Sequence, residues 1–247
     1  MTPARIAPLI LAVAALAGCN KSSDTSTSAP KATEAIKAVA APTGTSWTDK
    51  VDTTPDGGVR MGNPDAPVKL VEYGSLSCPH CAKLAQEGAA KIEEYVASGR
   101  ISYEYRSTII HPQDVPLTLL ARCNGTATFF PLVDQIYANF DAMSAPLGDE
   151  AVQKAANAAL QGPPQQRMSG LADALKYTEF FAQRGLPVEK AHACLADGAK
   201  VKELSDLSTK YGNEGITGTP TLFINGAKVD TTEWAVLNRA LADAGVR

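Results

Sequence analysis

Two cysteines separated by two residues, in Cys78-Pro79-His80-Cys81, are the residues of this chain whose types and spacing most directly suggest chemistry. A helix starting here sets the first sulfur at its N-terminus, where unpaired backbone N–H groups and the helix dipole stabilise an anion. The thiolate is the reactive species, so lowering the pKa of Cys78 makes it a good leaving group. Pro79 suits the first helical turn, where its missing N–H costs nothing. His80 is placed to add positive charge or a hydrogen bond to the same sulfur. Cys81 lies one turn on, close enough to close a disulfide, with a thiol expected to be more buried and less acidic. The pattern predicts thiol–disulfide exchange. Its competitors are an inert disulfide and half of a zinc site. Zinc would want four ligands at matching spacing, and the chain has no second Cys-x-x-Cys or close His pair. Haem attachment would need a His after Cys81, where Ala82 stands. No cofactor or metal is expected.

The elements around the pair fit that chemistry. Val68 to Tyr73 reads as a strand rich in β-branched residues, broken by Gly74 and Ser75. From Pro79 to Val96 apolar residues recur at helical spacing, with a stop at Ser98-Gly99, and Ile101 to Arg106 is a second strand. Strand, helix, strand favours a parallel pair. Val115 to Cys123, Phe129 to Phe140, Glu150 to Gln161, Met168 to Arg184 and Val188 to Ala196 all read as helices, followed by Lys200 to Tyr211. Thr221 to Ile224 is then a strand, Asn225-Gly226 a hairpin turn, Lys228 to Asp230 a return strand, and Thr232 the cap of a last helix running to about Ala244. The expected fold class is α/β, an α/β frame with a helical block inserted between its halves.

The 247 residues are 45% hydrophobic, enough for a substantial core, and a net charge of -3 argues against a broad nucleic-acid-binding face. After Arg5, the run Ile6 to Ala17 is almost wholly apolar, too short to span a membrane and right for a signal-peptide core. It ends in Leu16-Ala17-Gly18-Cys19, which resembles the bacterial lipobox. The resemblance implies a lipoprotein signal peptide over 1–18 and a lipid on Cys19, which becomes the first mature residue. Ordinary cleavage nearby, leaving a free thiol, is the alternative. Asn20 to Pro30 has no apolar periodicity and reads as flexible; Lys31 to Val39 has the makings of a short helix ended by Pro42 and Gly44. The tether is expected over 19–46, with the folded domain beginning near Trp47. The chain has 5 Cys. With Cys19 lipidated and Cys78 paired to Cys81, Cys123 and Cys194 are left for each other, or remain two buried thiols that never meet.

Cys78-Pro79-His80-Cys81 after a Val-Glu-Tyr strand resembles the DsbA-like branch of the thioredoxin superfamily. Gly218-Thr219-Pro220-Thr221-Leu222-Phe223-Ile224-Asn225-Gly226 resembles that family's cis-proline strand. The resemblance implies a thioredoxin fold in two parts, 47–112 and 200–247, with an all-helical domain inserted over 113–199. It implies a cis Pro220 packed against the cysteine pair, and a preceding Thr219 peptide that pairs with substrate backbone. Glu72 stands where the family often carries a buried acid beneath the disulfide, a proton relay for Cys81; the alternative is a strand carboxylate facing solvent. Related proteins also carry a second, non-catalytic disulfide like Cys123–Cys194.

The family implies a periplasmic thiol–disulfide oxidoreductase of the bacterial cell envelope. It would be a dithiol oxidase acting on cysteine-containing exported proteins, recycled by a membrane redox partner and held to the membrane by the Cys19 lipid. Thr219 replaces the Val of many such oxidases, and Thr there is commoner in isomerases and reductases. A reductase or isomerase is therefore the alternative, although no dimerisation domain is evident. A non-enzymatic binding lipoprotein on the same scaffold is a third reading. His111 and His192 are expected at surface or structural positions. Phe129, Phe130, Tyr177, Phe180 and Phe181 are expected in the core of the insert, with a substrate groove as the other possibility.

Overall fold

Strand parity sets the layout of the centre. In β3 (Val68–Gly74), Val68, Leu70 and Glu72 project to one face and Val71 and Tyr73 to the other. β3 pairs in parallel with β4 (Ile101–Ser107) and antiparallel with β5 (Thr221–Ile224). Two short strands, β1 (Val51–Thr53) and β2 (Val59–Gly62), extend the sheet beyond β4, and β6 (Ala227–Val229) extends it beyond β5. The order is β1-β2-β4-β3-β5-β6. The computed structural model describes residues 32–247; the expected signal peptide, Cys19 and the run up to Lys31 lie outside the described residues.

The crossover between the parallel strands is α1 (Pro79–Ala97), whose buried residues Cys81, Leu84, Gly88, Ile92 and Val96 make one apolar stripe. Gly88 is there for close approach, since a Cβ would lie 2.3 Å from the Trp234 ring of the last helix, α10 (Trp234–Asp243). Between β4 and β5 stand eight helices: α2 (Asp114–Arg122), α3 (Phe129–Ala138), α4 (Phe140–Ser144), α5 (Glu150–Gln161), α6 (Pro164–Ala174), α7 (Tyr177–Ala182), α8 (Val188–Leu195) and α9 (Gly198–Asn213). Cys123 and Cys194 are joined as a disulfide that ties the end of α2 to α8, with Cα atoms 6.0 Å apart. This is the thioredoxin fold with a helical insertion.

Phe129, Phe130, Tyr177 and Phe181 are buried, and Phe129 and Phe130 pack on Tyr105 and Tyr103 of β4, so they join the insert to the sheet. His192 bonds Asp173 at 3.0 Å on the surface.

Several local expectations need correction. The helix expected over Met168 to Arg184 is broken, because Lys176 adopts a left-handed conformation at φ 64° and splits it into α6 and α7. Thr232 does not cap α10. Glu233 holds the N-cap place without a side-chain bond, while the Thr231 hydroxyl accepts the Glu233 N–H at 2.9 Å. Asn225 and Gly226, both at positive φ, make the expected tight turn, and the return strand starts at Ala227.

The largest correction concerns Ala32 to Val39, which is not helical. Ala32, Ile36 and Val39 donate backbone N–H bonds to Asp243, Gly245 and Ser98 carbonyls. Their own carbonyls are taken by Arg247, Arg100 and Trp47 at 2.7–3.0 Å. Ile36 packs on the main core. Contacts with the end of α1 and the C-terminus win over the weak local helix preference, and Ala32 to Val39 belong to the folded body. Gly99 permits this, since a Cβ there would stand 2.3 Å from Val39 O.

Candidate active site

The cysteine pair sits where a parallel strand hands over to a helix, at the end of β3. Cys78 is the N-cap of α1, and its Sγ accepts the Cys81 N–H at 3.5 Å. Pro79 is the first helical residue. Both cysteines are free thiols, Cys78 3% and Cys81 0% exposed. Cys78 Sγ also lies 3.3 Å from Thr219 O. The Thr219–Pro220 peptide bond is cis, which lays the start of β5 against the sulfur. The Thr219 hydroxyl is buried.

The two thiols are pushed in opposite directions. A hydrogen bond from the Cys81 thiol is the largest influence holding Cys78 down, to about 5; the Thr219 side chain and the Cys81 and His80 N–H groups add to it, and burial opposes it. Cys81 is raised well above the ordinary thiol value, first by burial, then by its bond to Cys78 and the negative charge of Glu72. One sulfur is an anion at neutral pH and the other is not.

Glu72 shows why strand parity matters. It shares the core face with Val68 and Leu70 and is 4% exposed. Burial raises its carboxyl to about 7, opposed by the hydrogen bond from Tyr103. It lines a cavity of about 330 Å³ with Leu84, Phe130, Val133 and Tyr137. An open cleft beside Pro220 is lined by Thr221, Lys228 and Asp230.

The structure thus brings Cys78, Cys81, Glu72, Thr219 and Pro220 together. The His80 ring is exposed and has no hydrogen-bond partner among the described residues; only its backbone N–H acts on Cys78. Cys123 and Cys194 take no part in the site. Three groups were not visible in the motif. His111 stands beside the redox turn, with Nδ1 2.8 Å from Ser77 Oγ. Asp114 is fully buried under the same turn. The Tyr105 and Tyr137 hydroxyls meet at 2.7 Å, and Tyr137 donates to Ser75 O. In the sequence, only the alternation of Ile101, Tyr103 and Tyr105 signals that Tyr103 and Tyr105 share one face of their strand.

Comparison with known proteins agrees with this geometry. A family model described as "Thioredoxin" matches residues 53–243. A Rickettsia bellii protein whose name reads "Putative protein-disulfide oxidoreductase" is 26% identical over 177 residues, 69% of this chain and 58% of that protein. A Rickettsia prowazekii protein of the same description is 25% identical over 206 residues, 81% of this chain and 65% of its own length. The chain therefore spans about three-fifths of these relatives. Among solved structures, a protein-disulfide isomerase from Novosphingobium aromaticivorans is 27% identical with a TM-score of 0.69, covering 75% of this chain and 96% of that one. Wolbachia pipientis alpha-DsbA1 shares the fold at 20% identity and a TM-score of 0.61, over 78% of this chain and 92% of its own.

Proposed function

Since the chain belongs to the thioredoxin family, we propose that it is an enzyme, a protein thiol–disulfide oxidoreductase, and within that class a dithiol oxidase that passes the Cys78–Cys81 disulfide to cysteine-containing exported proteins. The observation that carries the reading is the contrast between the two sulfurs, with Cys78 held down to about 5 and Cys81 raised. A stabilised thiolate favours the reduced protein, and a protein that prefers to be reduced is an oxidant of others.

A client thiolate attacks Cys78 Sγ in the disulfide form, the bond to Cys81 breaks, and Cys81 takes up the proton of Glu72. A second client thiolate attacks the client sulfur of the mixed disulfide, and Cys78 leaves as a thiolate. Two electrons pass to the protein and the client gains a disulfide. Thr219 O beside Sγ offers an acceptor to a client backbone N–H in the Pro220 cleft. The Cys78–Cys81 bond is restored by a membrane redox partner carrying a disulfide of its own.

The lipobox-like Leu16-Ala17-Gly18-Cys19 supports export to the periplasmic side of the envelope and anchoring through a lipid on Cys19. An isomerase or reductase is the second reading, favoured by Thr219 and by the isomerase named above. Replacing each cysteine tests the assignment. Cys78→Ala is expected to abolish oxidative refolding of a reduced client, and Cys81→Ala, given a client that already carries a disulfide, to accumulate a mixed disulfide through Cys78, one client sulfur leaving as a thiolate. Refolding by Cys78→Ala at the wild-type rate would overturn it.

A further inference from the structure

Asp114, the first residue of α2, is 0% exposed, and no Lys, Arg or His among the described residues forms an ion pair with it. A buried carboxylate without a counter-ion is costly unless N–H and O–H donors replace its water. Four do so here. Oδ1 accepts the Ser75 hydroxyl at 2.7 Å and the Ser77 N–H at 3.0 Å. Oδ2 accepts the N–H groups of Ile110 and His111, both at 2.9 Å. The donors come as two pairs on two oxygens. An amide has one acceptor oxygen and would aim its NH₂ at one of the pairs, so only a carboxylate satisfies the arrangement.

One pair of donors belongs to the turn that leads straight into Cys78, and the other to the loop after β4. The same turn holds Cys78 directly, since Cys78 N–H donates to Ser75 O at 3.1 Å. The Ser77–His111 contact and the Tyr137 bond to Ser75 O complete the brace. Its bonds on the Cys78 side all fall on Ser75 and Ser77, within three residues of the sulfur they help to aim. For a loop remote from chemistry, a simple cap would serve without burying a charge.

We propose that Asp114 is a positioning residue for the exchange reaction, locking the Ser75–Ser77 turn so that Cys78 keeps the N-cap place in which its thiolate is stabilised. The proposal rests on the reading of Cys78 as the reactive sulfur. Loosening the turn withdraws stabilisation from the thiolate and so favours the disulfide form.

The test uses the full chain with Asp114→Asn, and Ser75→Ala as a milder change that removes one of the four donors. Folding is checked by circular dichroism. Two quantities are read that a purely structural role would leave alone: the rate of Cys78 alkylation by iodoacetamide at pH 6, and the equilibrium with glutathione. Folded Asp114→Asn is expected to alkylate about tenfold more slowly and to shift about tenfold towards the disulfide. Ser75→Ala is expected to move both the same way by about threefold. If Asp114→Asn does not fold, Ser75→Ala decides. Values within twofold of wild type, or faster alkylation through loss of a nearby negative charge, would overturn the proposal. Should the wild type fail to oxidise any client while these two quantities still shift, the proposed function falls and the role of Asp114 stands.

Discussion

The Tyr103 hydroxyl donates a 2.7 Å hydrogen bond to Glu72 Oε2, and this bond holds a carboxyl in the core layer of the sheet, where its charge acts on Cys81. Burial drives the Tyr103 phenol well above its usual range, so it stays a donor. Glu72, raised to about 7, is a proton donor and acceptor close to neutrality. Glu72→Gln is expected to slow the Cys81-dependent step by about a hundredfold, the low end for general acid–base catalysis, in single-turnover exchange at pH 7. Alkylation of Cys78 is expected to survive the change.

The same residue shapes stability against pH. Its folded value of about 7 exceeds the unfolded value near 4.5, so the native state holds the proton more tightly. The stabilisation this gives is fully present below pH 4.5 and lost as pH rises to 7. Glu72→Gln lacks that loss. Urea denaturation should therefore show the variant gaining on wild type between pH 5 and pH 8, by roughly 2 kcal/mol. Parallel curves for the two proteins would contradict the buried-carboxylate account.

Cys78 titrates in the opposite sense. Its folded value of about 5 lies below the thiol value of 9.0, so the stabilisation of the reduced protein is complete above pH 9 and is lost as pH falls through 5. Carboxymethylation of the reduced protein is expected to be half-maximal near pH 5 and flat above pH 7. The gap in thermal stability between reduced and oxidised protein should narrow across that window. A midpoint above pH 8 would show that the N-cap, the Cys81 thiol and Thr219 do not stabilise the anion.

These expectations draw on features of unequal legibility in the sequence. The strand–Cys-x-x-Cys–helix run was readable because two local rules, β-branched alternation and helical spacing, meet at one turn. The start of β5 was readable only through its resemblance to a family. Glu72 sat in the right parity to be buried, yet a carboxylate in a strand more often faces water, and only the packed Tyr103 and α1 decide the matter. For His80, adjacency in sequence says nothing about where the ring points, and the ring is exposed while its backbone N–H acts on Cys78. Asp114 was invisible, since its four donors come from residues up to 39 positions away and nothing in its own neighbourhood marks it. β1 and β2, of 3 and 4 residues, carry too little pattern to detect. The Ala32–Val39 strap escaped for the same reason as Asp114: its partners are at the far end of the chain.

That strap makes a prediction of its own. A chain starting at Trp47 loses three backbone hydrogen bonds to Asp243, Gly245 and Ser98 and the packing of Ile36. Urea denaturation of this truncation is expected to show a loss of about 1–3 kcal/mol relative to a chain starting at Ala32, with the Cys78 alkylation profile unchanged. Equal stability would mean that the strap contributes nothing to the fold.

The reduction potential of the Cys78–Cys81 pair in glutathione buffers tests the central claim most directly. With Cys78 held as a thiolate and Cys81 protonated, the pair is expected near the strongly oxidising end of the family range, about -120 mV. A value near that of thioredoxin, about -270 mV, would contradict the oxidase and leave a reductase on the same fold.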